Sequence, residues 1–494
     1  MNIISIDVGT TNIKVARVNV LDDSIKIEKQ TNVKVPVEKP ERKAYEHNPY
    51  TLLNLLVKAV RHLANKEIDA LAFTTYLFGI LYLDKNMKPL SNIVTWLDER
   101  PTEILHILKP YAKELYQRTG CPVLHIYGLP KILWFKRYRK EIFNKTKYFL
   151  DAKSLLMYTF TKELVSDLST VSGTYQLLNI RVLKWDDFAL NLIGIEENQL
   201  PQTVEGTYVA TMGREMSRQL GLSEGIPVIT GVYDGGSMIY GLTLGKSGLG
   251  VVNMGTSAML RVVTNFPVID NPNLMRFQTY YLTGKKWVSG GGISNAGVVF
   301  EFLYKLFSVK QSKNEFFRSV FGGMEACLRE RSKLLFIPIL YAERLPFISA
   351  TMGGTITGLT PETNYLEIFR AAAEGIVFLL KTIDDGLTEN EVKYYEITAG
   401  GKIAQYPSMQ KILANIFNKK IAYCGIPDIS HLGNTLITIK SLKTHSSKEI
   451  HEIHRKIMSA CIKTKPDPVL LKKYVNLYSH FKHILEKLYY VKTE

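Results

Sequence analysis

Ile3-Ile4-Ser5-Ile6-Asp7-Val8-Gly9-Thr10-Thr11-Asn12-Ile13-Lys14-Val15-Ala16-Arg17-Val18 stands near the start of the chain. An apolar run ends in a carboxylate, turns at Gly-Thr-Thr and returns with apolar residues at every second position. That pattern predicts strand, tight turn, strand. Half a chain later it recurs as Val251-Val252-Asn253-Met254, Gly255-Thr256-Ser257 and Met259-Leu260-Arg261-Val262-Val263. One unit repeated at that distance predicts an internal duplication, with a copy opening each half.

Outward from these hairpins the chain alternates between strand and helix patterns. Leu21-Asp22-Asp23-Ser24 turns the chain into a third strand at Ile25–Lys29. Asn48-Pro49 pairs a cap residue with a first-turn proline and predicts a helix through Leu63. Helical apolar spacing marks Pro130–Tyr138, Asn295–Phe307 and Tyr365–Ile383, and Asp467-Pro468 starts a last helix. Asp69–Phe73, Pro227–Val232 and Leu334–Pro338 are short and apolar, as in a sheet covered on both faces. The reading is an α/β fold of two domains, 1–243 and 244–494, with an interdomain cleft.

Length and composition agree with that reading. A chain of 494 residues exceeds one ordinary core, and 46% apolar with 22% charged residues is the balance of a globular protein. The net charge is +16, which could signal nucleic acid. The basic residues instead alternate with apolar ones at helical spacing, as with Lys472, Lys473, Lys482 and Lys487 beside Tyr474, Tyr478, Phe481 and Leu485. This is a solvated helix face, so no nucleic-acid partner is expected. No apolar run reaches the roughly 18 residues of a membrane span, and no secretory signal is read at the start, so neither a membrane nor a secreted state is expected. Cys121, Cys327, Cys424 and Cys461 lie far apart in sequence without a CxxC pair. Neither zinc nor a disulfide framework is expected, and a cytoplasmic setting follows.

Three segments carry chemistry. In Asp7-Val8-Gly9-Thr10-Thr11-Asn12-Ile13-Lys14 a bare glycine, backbone amides and hydroxyls suit phosphate oxygens, and Asp7 can hold Mg²⁺. An ordinary hairpin has the same composition, but it has no need of a second copy. Gly255-Thr256-Ser257 facing it across a cleft would clamp a polyphosphate from both sides. In Thr230-Gly231-Val232-Tyr233-Asp234-Gly235-Gly236-Ser237 a strand ends in a carboxylate among glycines. Asp234 there suits a general base for phosphoryl transfer, with an Asx-turn or helix cap as the competing reading. In Thr398-Ala399-Gly400-Gly401-Lys402 the glycine pair allows a flat adenosine to lie against bare backbone, or marks a plain strand-to-helix turn.

With these residues in view, the chain resembles the FGGY family of carbohydrate kinases over nearly its whole length. Asp7-x-Gly9-Thr10-Thr11-x-x-Lys14, Gly231-x-x-Asp234 and Gly255-Thr256-Ser257 match the first phosphate, catalytic-base and second phosphate motifs in order. Trp96-x-Asp98-x-Arg100, Pro130-Lys131-x-x-Trp134, Glu343-Arg344-x-Pro346 with Gly354 and Gly358, Glu374-Gly375, and Gly400-Gly401 with Gln410 resemble its other segments. The resemblance implies two actin-like (ribonuclease H-like) ATPase domains that close on Mg·ATP and a sugar. It implies ATP and Mg²⁺ as cofactors, Asp7 and Asp234 near the metal, and Asp234 as the base. Gly9, Thr10, Thr11, Lys14, Gly255, Thr256, Ser257, Gly400, Gly401 and Gln405 would meet the nucleotide. A homodimer is an oligomeric state the resemblance leaves open.

Departures from the family pattern are local. Gly401-Lys402-Ile403-Ala404-Gln405 lacks a third glycine and has Gln405 for a usual serine. Asn415 replaces an aspartate, and His431-Leu432-Gly433-Asn434 replaces small residues, which leaves the phosphate donor open. Phe347-Ile348-Ser349-Ala350 lacks the second signature's aspartate. Tyr76-Leu77-Phe78 stands where glycerol kinases carry Gln-Arg-Glu and the xylulose and gluconate kinases Gln-Met-His, so glycerol is disfavoured. Gly255 to Arg261 and Trp287 to Asn295 look most like gluconate kinases. The expected acceptor is therefore a sugar, sugar acid or polyol of the gluconate type, with a ketopentose of the xylulokinase type as the alternative. Tyr76, Phe78, His125 and Asn295 are candidate contacts, with packing as the competing reading. Asp98 is either a contact or Arg100's ion-pair partner, and Trp96 and Trp134 read as core. A non-kinase actin-fold ATPase or sugar-responsive binding protein is the reading from another class.

Overall fold

The computed structural model describes residues 1–307, 311–330, 333–346 and 353–490. Two mixed sheets carry the molecule, each built on one copy of the repeated hairpin. The first contains β1 (Asn2–Val8), β2 (Asn12–Val20), β3 (Ile25–Lys34), β4 (Ala70–Thr75), β5 (Val209–Thr211) and β6 (Pro227–Ile229), in the order β5-β6-β4-β1-β2-β3. The second contains β7 (Leu249–Met254), β8 (Ala258–Thr264), β9 (Gln278–Tyr281), β10 (Trp287–Ile293), β11 (Glu396–Gly400), β12 (Lys420–Tyr423) and β13 (Ile462–Thr464), in the order β9-β10-β8-β7-β11-β12-β13. In both, an antiparallel meander (β1-β2-β3 or β7-β8-β10) is continued by parallel strands on the other side of its first member: β4 and β6, or β11 and β12. The duplication read from the hairpins is thus a duplication of sheet order. Phe347-Ile348-Ser349-Ala350 lies outside the described residues.

The helices that position the site are α1 (Pro49–Leu63), α2 (Gly128–Tyr138), α3 (Ala152–Thr161), α4 (Asp234–Thr243), α5 (Tyr365–Glu389), α6 (Pro407–Phe417), α7 (Ile429–Ser441) and α8 (Pro468–Tyr490). Asn48 caps α1, its Oδ1 accepting from the amides of Tyr50 and Thr51 at 3.1 Å. α5 continues past Ile383, where the helical apolar spacing read from the sequence ended, through Asp384 and Asp385. Lys381 one turn back pairs with both carboxylates, at 2.9 and 2.7 Å, and so makes them tolerable in the helix.

β1 shows why its strand is apolar on both faces. Ile4, Ile6 and Val8 pack with Leu52, Leu56 and Val60 of α1, whereas Ile3 points to the opposite face. There it joins Ile239 and Tyr240 of α4, Leu436 and Ile437 of α7, and Val251, Val263 and Val288 of the second sheet. α4 and α7 therefore form one layer shared by both halves, which fixes the cleft between the hairpin turns. One expectation is corrected here: Cys424 and Cys461 form a disulfide. They are 37 residues apart in sequence, but antiparallel pairing of β12 with β13 sets Tyr423 opposite Ile462 and brings the cysteines together. Cys121 and Cys327 are free.

Candidate active site

Asp234 is the first residue of α4, reached from β6 through Thr230–Tyr233. Gly231 has φ +64°, and a Cβ there would stand 2.0 Å from the carbonyl oxygen of Phe73. Only glycine makes that crossing, which aims the next three residues at the cleft. Beneath it, fully buried Lys153 pairs with Asp167 at 3.0 Å and donates to the carbonyls of Thr230, Val232 and Phe73. One cation thereby ties the ends of β4 and β6 together behind the carboxylate. Asp234 accepts from the Gly235 amide at 2.7 Å. Burial first, and Asp7 second, push its pKa up to about 7. A carboxylate so poised changes charge in the range where a general base operates.

Asp7, the penultimate residue of β1, accepts from Ser430 Oγ at 2.7 Å, and burial raises its pKa. Lys14 lies opposite Asp7 in the β1–β2 register and reaches Asp428 at 2.6 Å, just ahead of α7. Each hairpin turn is closed by its glycine amide, Gly9 donating to Asn12 O three residues on and Gly255 to Ser257 O two residues on, both at 2.9 Å. Both open onto one cavity of about 900 Å³ whose wall includes Thr10, Lys14, Asp234, Ser257, Gly401 and Gln405, with Tyr76, Phe78 and Trp96 at another part. Gly9, Thr11, Gly255, Thr256 and Gly400 are chain neighbours of these residues. The two aspartates suit a magnesium ion: both are raised by burial, Asp234 further by the charge of Asp7, and Mg²⁺ is held by one or two carboxylates together with substrate phosphates.

Several predicted contacts are placed elsewhere. Asp98 is fully buried and off the cavity wall, because Arg100 binds both its oxygens and the Tyr45 amide donates to it as well. Asn295 is also fully buried. Its Oδ1 accepts from the amides of Leu340 and Tyr341, and its Nδ2 donates to Tyr341 O and Glu343, leaving nothing for a ligand. His125 lies behind the wall formed by Leu124 and Ile126, and burial followed by Lys131 brings its pKa down to about 4. Trp96, by contrast, is not core: it faces the cavity and donates to Thr10 Oγ1 at 3.0 Å. Trp134 is core.

Residues to which the sequence reading gave no site role also shape the site. Lys131 of α2 donates to the carbonyls of Ile126, at 2.7 Å, and Phe78, both cavity residues. Arg261, Gln278 and Arg344 reach the wall from the second half. The signal for Arg261 was a charge on an otherwise apolar strand. Lys153 had none, being one lysine in a helix pattern. Gln410 donates to the carbonyls of Ala404 and Gln405 at 3.1 and 3.2 Å and shapes the turn after Gly401. Asn415 ties α6 to the Asp467 amide at 2.6 Å, ahead of α8.

Two family profiles cover most of the chain: the N-terminal domain of the FGGY family of carbohydrate kinases matches residues 2–241, and its C-terminal domain residues 250–441. The chain belongs to the FGGY family. It is a carbohydrate kinase, a phosphotransferase with an alcohol acceptor. A gluconokinase of Bacillus subtilis (strain 168) is 28% identical over 448 residues, covering 88% of this chain and 86% of that one. A xylulose kinase of the same organism is 26% identical, with 85% and 84% covered. The crystal structure of a gluconate kinase from Lactobacillus acidophilus superposes with a TM-score of 0.90 at 25% identity, over 99% of this chain and 98% of that one. The two-domain actin-like ATPase fold is therefore the fold of this kinase. ATP is the donor used in the family. Among the described residues no helix is long and apolar enough to cross a membrane.

Proposed function

We propose that this kinase transfers the γ-phosphate of Mg·ATP to a hydroxyl of a gluconate-type sugar acid, with Asp234 as the general base. One observation carries the reading: a single carboxylate with a pKa of about 7 lies on the wall of the cavity onto which both glycine–hydroxyl turns open. The turns around Thr10 and Ser257 would hold the phosphates, and Lys14 would add a positive charge. Asp7 and Asp234 would hold magnesium, which neutralises phosphate charge when bound. Gly401, Lys402 and Gln405 would meet the adenosine. Asp234 accepts the hydroxyl proton as the oxygen attacks phosphorus, and the enclosed cleft excludes competing water. Two gluconokinases among the relatives support a sugar acid as acceptor. The 26% identity with a xylulose kinase supports a ketopentose as second reading.

ADP release measured with a panel of sugar acids, polyols and ketoses tests the reading. At least one acid is expected to stimulate turnover. Asp234→Asn is expected to lower kcat by about 10²–10⁴-fold while nucleotide still binds. Undiminished turnover in that variant would remove Asp234 from the role of base.

A further inference from the structure

The cavity holds two guanidinium groups to which the transfer chemistry assigns no ligand, although Arg261 favours the ionised form of Asp234 through space. Arg261 of β8 lies directly opposite Gly290 of β10, and Gly290 lies directly opposite Gln278 of β9. Directly paired residues share a sheet face, so Arg261 and Gln278 flank a position without a side chain. Gly290 has φ +155°, and a Cβ there would stand 2.0 Å from Leu260 O, so the bare strip is enforced. The next open position, Gly292 opposite Met259, continues it, and Arg344 Nη2 lies 3.7 Å from where its Cβ would be. Arg344 is held there by its neighbour Glu343, which accepts from the amides of Ser294 and Asn295 at 2.7 and 3.1 Å. The result is a slot floored by glycines, with Arg261 and Gln278 at its sides and Arg344 over it.

Neither arginine is in a salt bridge with a carboxylate among the described residues, although Glu343 acts on Arg344, and Asp234 on Arg261, through space. Arg261 is only 8% exposed, yet its Nε and Nη1 are buried without a hydrogen-bond acceptor. It lies over the Tyr280 ring at 5.0 Å, and Arg344 lies over the Trp96 ring at 5.9 Å. Burial, and then Arg261, hold the Arg344 guanidinium below its ordinary value against the pull of Glu343 and Tyr280. Two like charges removed from water near one another are costly until an anion lies between them. The planar fork of each guanidinium matches a carboxylate. For Arg261 the phosphates at the Ser257 turn are an unsuitable source of that anion. Arg261 is four residues down the strand from the Ser257 turn, about 13 Å along the sheet.

We propose that Arg261 and Arg344, with Gln278, bind the carboxylate of the phosphoryl acceptor and thereby select sugar acids over neutral sugars. The proposal rests on the kinase reading above and adds to it the residues that set substrate class. The reacting hydroxyl then lies at Asp234, at the far end of the acceptor from its carboxylate.

The test compares D-gluconate and D-xylonate with D-glucitol, D-xylulose and glucose 6-phosphate, using wild-type, Arg261→Met, Arg261→Lys and Arg344→Met proteins. An aldonate is expected to exceed the neutral compounds in kcat/KM by about 100-fold. Each Met variant is expected to raise the aldonate KM on the order of 100-fold with kcat altered only a few-fold, and Arg261→Lys to recover part of the loss. A retained nucleotide-induced rise in Tm shows that the variants are folded. D-Xylulose, D-glucitol or glucose 6-phosphate turning over as well as any aldonate would overturn the anchor and leave the kinase reading intact. ADP release with none of the compounds would count against the kinase reading instead. Calorimetric titration with D-gluconate then decides the anchor: binding that disappears in Arg261→Met sustains it, and no binding to wild type overturns it.

Discussion

Burial and the negative charge of Asp7 disfavour the ionised form of Asp234, and the Gly235 amide, then Lys153 and Arg261, favour it less strongly. With a pKa of about 7, the carboxyl is protonated and cannot accept a proton in mildly acidic solution. The expected pH dependence is therefore a kcat/KM that rises about tenfold per pH unit below about 7 and levels above it. A flat profile down to pH 5 would show that no such group titrates. The same shift bears on stability with a definite sign. A folded pKa above the unfolded one means that this group's contribution is full below about pH 4 and is lost as pH rises through about 7. Asp234→Asn removes a charge that folding disfavours, so at pH 8 the ligand-free variant is expected to be more stable, on the order of 2 kcal/mol, while it is inactive. Calorimetry at pH 4, pH 5 and pH 8 checks this, because the gain should shrink as the pH falls and approach zero only near pH 4. Gly231→Ala is expected to act oppositely: φ +64° and the Phe73 carbonyl at 2.0 Å leave no room for a methyl, so activity and at least about 3 kcal/mol of stability should be lost together.

Lys131 shows how a helix can hold a loop. Its fully buried ammonium stem crosses from α2 to the carbonyls of Phe78 and Ile126. Phe78 itself sits at φ +72°, a conformation costing a non-glycine residue about 1–2 kcal/mol. Burial lowers the Lys131 pKa to about 7, and a neutral amine still has two protons for two carbonyls. Lys131→Met is expected to raise the acceptor KM about tenfold with little change in nucleotide binding, because the loop loses its tie while the phosphate turns keep theirs. Steady-state kinetics with each substrate varied in turn separates these effects. Elements of this kind also mark the limit of what could be read from the chain. The paired hairpins, the Asn48 cap and Asp234 at a glycine-rich strand end were legible, because each is a local pattern. Lys131 was visible only as part of a signature, and Arg261 only as one charged position on a strand. Which face of β8 meets the cleft depends on β9 and β10 beside it, and period-two spacing does not report that. Asp98 and Asn295 misled for the converse reason: polar residues near a site are as often its scaffolding, and only their partners distinguish the two.

At the scale of the molecule, the halves of the sequence are not the halves of the core. α7 comes from the second half but rests on the first sheet, where His431 Nδ1 lies 2.9 Å from Ser5 Oγ. Asn434 donates to Ser5 Oγ at 3.1 Å and to Ala72 O at 2.9 Å. These residues are the departures from small side chains noted in the sequence; His431 Nδ1 and Asn434 Nδ2 are spent on the sheet beneath the cleft, while His431 Nε2 and Asn434 Oδ1 are buried without a hydrogen-bond partner. Ser237 of α4 donates in turn to Ser430 O at 2.8 Å, so the helix that begins with the proposed base is tied to the helix that follows Asp428. A layer shared in this way couples the two sheets. Asn434→Ala would leave Ser5 and the Ala72 carbonyl short of a donor in a dry interface, a loss of about 2–3 kcal/mol. Because the layer belongs to both sheets, the loss is expected to lower the midpoint of one cooperative transition rather than to split it. Mg·ATP bound to both halves should stabilise wild type and variant alike by about 2.7 kcal/mol at a hundredfold excess over Kd, and so raise that midpoint in both. Differential scanning calorimetry of the variant decides the matter, since two resolved transitions would mean that each half keeps its own core and that the cleft is a contact between independent bodies.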